Sequence, residues 1–189
     1  MPGKLVGIKQ IYSTDISTVS STQTEVLGTH GWDESGNEHI FLQGTASVVA
    51  NDWVVFDENY STTRLTADEV GPVAVSPTAI VLNQFGWFQI KGIVLGNSDT
   101  IAADSSLYID NTTGRVDDFG VTGDLVIGAY SMTASVSNKA TCYITYPHVS
   151  NDIGGSGATV AGSDTQVQFN DSSAFGADGG FTFDKTTDV

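Results

Sequence analysis

Ala50-Asn51-Asp52, followed by Val55-Phe56, Glu58-Asn59 and Arg64-Leu65, returns further along the chain as Ala102-Ala103-Asp104, Leu107-Tyr108, Asp110-Asn111 and Arg115-Val116. The offset is 52 at the alanines and 51 at the arginines. It becomes 54 where Val73-Ala74-Val75 meets Ile127-Gly128-Ala129 and where Trp87-Phe88-Gln89-Ile90 meets Thr141-Cys142-Tyr143-Ile144. A collinear recurrence of this length predicts one supersecondary unit used twice, with small insertions in the turns. Each copy reads as an Ala-x-Asp turn, a strand ending in an aromatic, a polar reversal, an Arg-bearing strand, and two further strands. The same likeness also arises when unrelated β-hairpins share turn chemistry.

No window sustains apolar residues at the i, i+3, i+4, i+7 spacing of a helix; only Thr66 to Val70 could form a single turn. Apolar runs are short and punctuated about every ten residues, as in sandwiches and barrels. Charged residues make up only 15% of the chain, and Ser, Thr, Gly, Asn and Asp replace the strong helix formers. The expected fold class is therefore all-β: a small β-barrel or sandwich built from the duplication. One hairpin unit cannot close a core alone, whereas two packed together can.

The expected boundaries are an N-terminal strand and arm over residues 1–24, a body over 25–149, a Gly/Ser linker over 150–162 and a C-terminal β ribbon over 163–189. Leu5 to Tyr12 is β-prone, and Ser13 to Thr24 reads as an extended arm. Glu25 to Thr45 reads as a hairpin with its tip at Asp33-Glu34-Ser35-Gly36-Asn37. In the ribbon, Val167, Phe169, Phe175, Phe181 and Phe183 have almost no chain to bury them, and a two-stranded ribbon is marginal in water. Copies winding together would cover these aromatics, so the tail predicts oligomerisation.

Seven Lys plus Arg stand against 22 Asp plus Glu, a formal net charge of −15. Without clustered cations to displace counterions, binding to nucleic acid or to an anionic membrane is not expected. No run approaches the length of a membrane helix, and Met1 to Gln10 has no signal-peptide core, so synthesis in the cytoplasm without export by a standard signal is expected. The single Cys142 reads as a buried apolar residue on a strand. His30, His39 and His148 make a weak zinc pattern. Asp104, Asp110, Asp117, Asp118 and Asp124 lack the spacing of a calcium loop and read as solvated turns. No nucleophile elbow, phosphate loop or dinucleotide fingerprint is present. No catalytic residues, metal ligands or cofactors are expected, and the chain reads as a non-enzyme. Trp32, Trp53 and Trp87 remain as anchors for a core, a subunit interface or, with Tyr60 and Tyr146, a sugar platform.

Two stretches carry a resemblance. Gly162 to Asp171, with Ala174-Phe175-Gly176-Ala177-Asp178 and Phe181 to Thr187, closely resembles a short module of phage tail-fibre and head-fibre proteins. The body, through Asp52 to Phe56, Gly86 to Gly92, Leu107-Tyr108 and Gly114 to Asp117, more diffusely resembles phage capsid decoration proteins. The resemblance implies small barrel-like domains, often trimeric, placed on the capsid surface of a virion against the major capsid protein, with no catalytic residues to carry over. The expectation is a virion structural protein that decorates or cements the capsid or forms a head-fibre base. The alternatives are a tail- or neck-fibre base and a carbohydrate-binding adhesin module.

Overall fold

In the computed structural model, which describes residues 9–10, 16–45, 47–121, 123–150, 166–171 and 174–182, every regular element is a β-strand. Two units emerge, Met1–Asn151 and Asp152–Val189. In the first, eleven strands form one mixed sheet: β1 (Lys9–Gln10), β2 (His30–Trp32), β3 (Glu38–Gly44), β4 (Trp53–Phe56), β5 (Ser61–Arg64), β6 (Gly71–Val75), β7 (Phe85–Asn97), β8 (Ser106–Ile109), β9 (Val116–Asp117), β10 (Leu125–Ser131) and β11 (Lys139–Val149). The second unit is the antiparallel pair β12 (Gln166–Asp171) and β13 (Ala174–Thr182).

The predicted repeat has a counterpart in the strand pairing. The sheet runs β5-β4-β6-β7-β11-β10-β8-β9, so β5-β4-β6-β7 and β9-β8-β10-β11 have the same internal order and meet through their last strands. That junction is antiparallel, from Lys139 opposite Asn97 to Thr145 opposite Lys91. Both first hairpins turn on an aspartate: the Asp57 carboxylate accepts the Asn59 and Ser61 amides, and the Asp110 carboxylate accepts the Thr112 amide. Such side-chain-to-backbone bonds replace the ladder bonds a reversing chain loses. Leu65 and Val116, which follow the two arginines, are both fully buried in one cluster.

The first copy differs from the second by closing on itself. Strand β3 pairs with β5 on one side and β7 on the other, so β3-β5-β4-β6-β7 forms a five-stranded ring. Ring closure removes the free edges that an open sheet leaves. Ile40, Leu42, Val54, Ala74, Phe88 and Ile90, joined by Val48 and Ile80, fill the ring.

The opposite faces of β4 and β6 are also buried. Trp53, Val55, Val73 and Val75 pack against Val94, Leu107, Ile109, Val126, Cys142 and Ile144 of the other strands. The run Trp53-Val54-Val55 is apolar without alternation because its strand is a wall between two cores, the pattern of a strand buried on both sides. Each fully buried side chain of this size contributes about 1.5–3 kcal/mol, so this wall holds more per residue than any strand with one wet face.

A third, small cluster lies outside the ring, where Phe41 and Trp87 meet edge-on at 5.2 Å and Phe85, Leu27 and Ile16 cover them. The described part of the N-terminal segment thus lies on its own body, with Ser20 bridged to Phe85 and Val19 against the ring core. Of the β-prone Leu5 to Tyr12, Lys9–Gln10 pairs in parallel with β2, and the rest lies outside the described residues. The hairpin over Glu25 to Thr45 is β2–β3, its tip held by the Asp33 carboxylate, which accepts amides from Ser35 and Asn37. Thr66 to Val70, where the sequence allowed a single turn, holds a reverse turn in which the Glu69 amide donates to the Thr66 carbonyl at 3.3 Å, with Asp68 at a φ of 63° and not in helical geometry. An aspartate tolerates that left-handed backbone better than most residues.

Candidate functional site

The sequence-selected tryptophans divide by depth. Trp53 is fully buried in the wall between the cores, its Nε1 donating to the Asn97 carbonyl at 3.1 Å. Trp87 is only 4% exposed beneath Ile16, Leu27 and Phe85. Both are core residues of the single chain, the first of the placements that the sequence left open for them and not that of an interface anchor; Trp32, on β2, is half-buried. Tyr60 and Tyr146 stay exposed, but the Tyr146 hydroxyl is already engaged. No platform of several tryptophans arises for a sugar. Val167 and Phe169 lie on β12, and Phe175 and Phe181 on β13; the register sets Phe169 opposite Gly176 and Phe175 opposite Asn170. Phe183 lies outside the described residues.

Among the described residues, the Asp52 and Glu38 carboxylates each tie strands together. Asp52 has no exposed surface. One carboxylate oxygen accepts the Arg64 Nε at 2.7 Å and the Val49 amide at 2.9 Å; the other accepts the Asn97 side chain at 2.9 Å. Arg64 also donates to the Thr113 carbonyl, and Asn97 to that of Ala50. The hub therefore joins β4, β5, the end of β7 and the 110–115 turn. Gly114 is required there, since it has a φ of 80° and a Cβ on it would stand 2.7 Å from the Asp52 carboxyl carbon. The two recurring arginines are not equivalent: Arg64 has this buried partner, and Arg115 is placed in the second turn.

Glu38, 3% exposed, accepts the Tyr146 hydroxyl at 2.6 Å on one oxygen and lies 2.7 Å from His30 Nδ1 on the other. The hydrogen bond to Glu38, with burial and the charge of that carboxylate, pushes the Tyr146 hydroxyl above the usual tyrosine range. Tyr146 sits at a φ of 48°, where β11 leaves β7 and takes up β6. The extra residues of β11 opposite Gly128 form a bulge that re-aims this side chain. A carboxylate between His and Tyr has the right groups for proton transfer. Here both oxygens are occupied, and the contact links the ring to the second repeat.

The remaining titratable candidates are individually placed. His30 and His39 do not face each other: His30 pairs with Ile40, and His39 with Gly31. His39 is 1% exposed with no partner for Nδ1, and burial pushes its pKa below 6.5, against the pull of Asp33, the Asn37 backbone and Glu38. The depressed pKa sets a pH dependence. As pH falls below 6.5 the unfolded chain takes up a proton that the native state resists, so stability is lost on acidification, by up to about 1.4 kcal/mol per pH unit. Urea unfolding between pH 7.5 and pH 5 should show a steeper loss for the wild type than for His39→Asn; parallel curves would contradict it.

Asp110 and Asp124 are buried, not solvated as expected, and Asp124 accepts the Asp68 amide. Asp117 has its carboxyl raised by burial first, then opposed by the Phe119 amide and supported by Asp110 and Asp118. Among the described residues no three His, Cys, Asp or Glu side chains group to hold a metal. Cys142 is fully buried, its thiol pushed up to about 12 by burial, as a core position requires. One cleft of about 220 Å³ runs along Phe56, Asp57 and Glu69, and one of about 130 Å³ along Ser20, Glu25 and Trp87. Neither is lined by Glu38, His30, His39 or Asp52.

The surface that sequence reading missed is the outer face of β7, β11 and β10. Val94, Cys142 and Ile144 point into the core, so Ile93, Leu95 and Tyr143 point out. Ile93 stands beside Tyr143, which stands beside Tyr130; Leu95 stands beside Thr141. The Tyr130 and Tyr143 rings lie 5.6 Å apart. Ile93 is 53% exposed, Leu95 46% and Tyr130 45%. Ile93-Val94-Leu95 has no polar alternation, so its linear sequence gives no sign of which members face water.

Among the described residues no helix is long and apolar enough to cross a membrane. No family description matches the chain, and no curated protein matches it. Among solved structures, the head fiber gp8.5 N base of bacteriophage phi29 is similar at a coarse level, with a TM-score of 0.45 and 8% identity over 59% of this chain and 97% of that one.

Proposed function

We propose that this chain is a structural subunit of a phage particle, a head-fibre base or capsid decoration protein that acts by assembly and not by catalysis. The observation that carries the reading is the C-terminal unit. The described residues of the stretch that resembles a fibre module form a two-stranded sheet of their own, β12–β13. A two-stranded sheet is marginal in water, and identical copies meeting by symmetry would bury its aromatics. The buried polar groups of the body support the reading, because Asp52 and Glu38 both fasten strand to strand. Rigid β scaffolds with many modest contacts suit a lattice position, where avidity multiplies each one. The major capsid protein is the partner proposed for the body, on the outer surface of the head.

Light scattering tests the assembly step. The full chain should give a mass near three times 19.8 kDa, and removal of residues 151–189 should shift it toward the monomer while the β circular dichroism of the body persists. A full-chain monomer, or a trimer indifferent to the deletion, would count against the tail's role. Co-sedimentation with fibre-less heads then tests the capsid partner.

A further inference from the structure

The chain carries 22 acids, yet residues 70–98 contain none, and neither do residues 125–151. The fold brings these two stretches side by side: the first supplies β7, and the second supplies β10 and β11, which pair with one another in the order β7-β11-β10. The result is a sheet face with no carboxylate on any of its three strands. Lys91 and Lys139 stand at opposite ends of it, opposite Thr145 and Asn97. Its middle is Ile93, Leu95, Tyr130 and Tyr143, the first three about half exposed. Residues 16–150 hold 15 acids against 4 Lys and Arg, so the rest of the body's charge is strongly negative.

We infer that this face is where the body of one copy packs against the body of another. Resting on the assembly reading above, the inference assigns the contact a place on the body. Two acidic bodies repel wherever their carboxylates approach, and the face composed of β7, β10 and β11 lets them meet without opposing acids. Interface cores are depleted in charge and enriched in tyrosine and large apolar side chains, and this face has that composition. A contiguous apolar patch on a soluble protein marks an interaction surface, and the charge balance selects a second copy of this acidic chain as its occupant. Removal of acids from the contact, with lysine only at its ends, is the arrangement that self-association of such a chain requires.

The test uses the full chain. Sedimentation velocity over a concentration series is run for the wild type, for Ile93→Glu with Leu95→Glu, and for Val26→Glu, which changes a residue 74% exposed elsewhere. The expected result is an oligomer whose dissociation constant rises at least about 100-fold in the face variant, since each new charge would be buried unpaired. Val26→Glu should leave it within about 2-fold, as a residue outside the contact does. Ile93→Ser with Leu95→Asn adds no charge and keeps the test decisive if the Glu pair fails to fold. An oligomer indifferent to both face variants would overturn this inference and leave the assembly reading standing. A wild-type chain that is monomeric throughout would overturn both, and a face occupied only by another protein would be the remaining explanation of its exposure.

Discussion

Asp52→Ala should lower the stability of the body by about 3–5 kcal/mol, the usual penalty for breaking a buried ion pair from one side. The reason lies in what the alanine leaves behind. Arg64 loses its close partner, the Asn97 side chain loses one of its two acceptors, and the Val49 amide loses its acceptor. Each is a donor at least partly removed from water, and an unsatisfied buried donor costs about 1–3 kcal/mol. Asp52→Asn should cost less, because an amide oxygen still accepts one of these donors, though it cannot answer the guanidinium charge. Equilibrium urea unfolding, followed by tryptophan fluorescence, measures both. A loss under 1 kcal/mol for the alanine variant would mean that water or a rotated Arg64 replaces the carboxylate, and the hub would lose its importance.

Trp53→Ala is the second large effect, again about 3–5 kcal/mol, the range for deleting a buried aromatic that leaves a cavity. The loss should fall at the top of that range because the site cannot collapse. Gly96 already lies so close that a Cβ on it would come within 2.6 Å of the indole nitrogen, and the wall strand is held by β5 and β6 on either side. Trp53→Phe should cost less, losing ring volume and the hydrogen bond to the Asn97 carbonyl. Asn97 thus serves both Asp52 and Trp53, so the double variant should be less destabilised than the sum of the singles, by the coupling of 0.5 kcal/mol or more expected of residues that share a partner. Strict additivity would show that the two sites relax independently.

Gly96 and Gly114 sharpen the same point. Both contact the hub or the indole directly, so added side-chain volume at either position presses on Asp52 or Trp53.

The linear sequence was enough to establish the class of the fold, and it pointed to an internal order that the strand pairing matches. Short apolar runs, Asp-led turns and the absence of helical spacing dictate strands, because those are local properties of backbone and turn chemistry. The recurrence from Ala50 to Ile90 and from Ala102 to Ile144 likewise predicts one pairing pattern used twice, and the sheet follows that order in both copies. Cys142 was legible as a core residue because its neighbours alternate across a strand.

What the chain could not announce is which copy closes. Nothing near Val54 says that β3 will pair with both β5 and β7, since that contact joins segments distant in sequence. Ring closure makes β4 and β6 a wall with two buried faces, and it therefore took Trp53 into the interior, while Ile16 and Leu27 covered Trp87. The same non-local pairing set Glu38 against Tyr146, and aligned two acid-free stretches into one exposed face. Burial depends on what lies on the far side of a strand. Periodicity within a single strand records only that its two sides differ, and in Trp53-Val54-Val55 and Ile93-Val94-Leu95 it does not record even that; the packing of distant strands decided which of those side chains became core and which became surface.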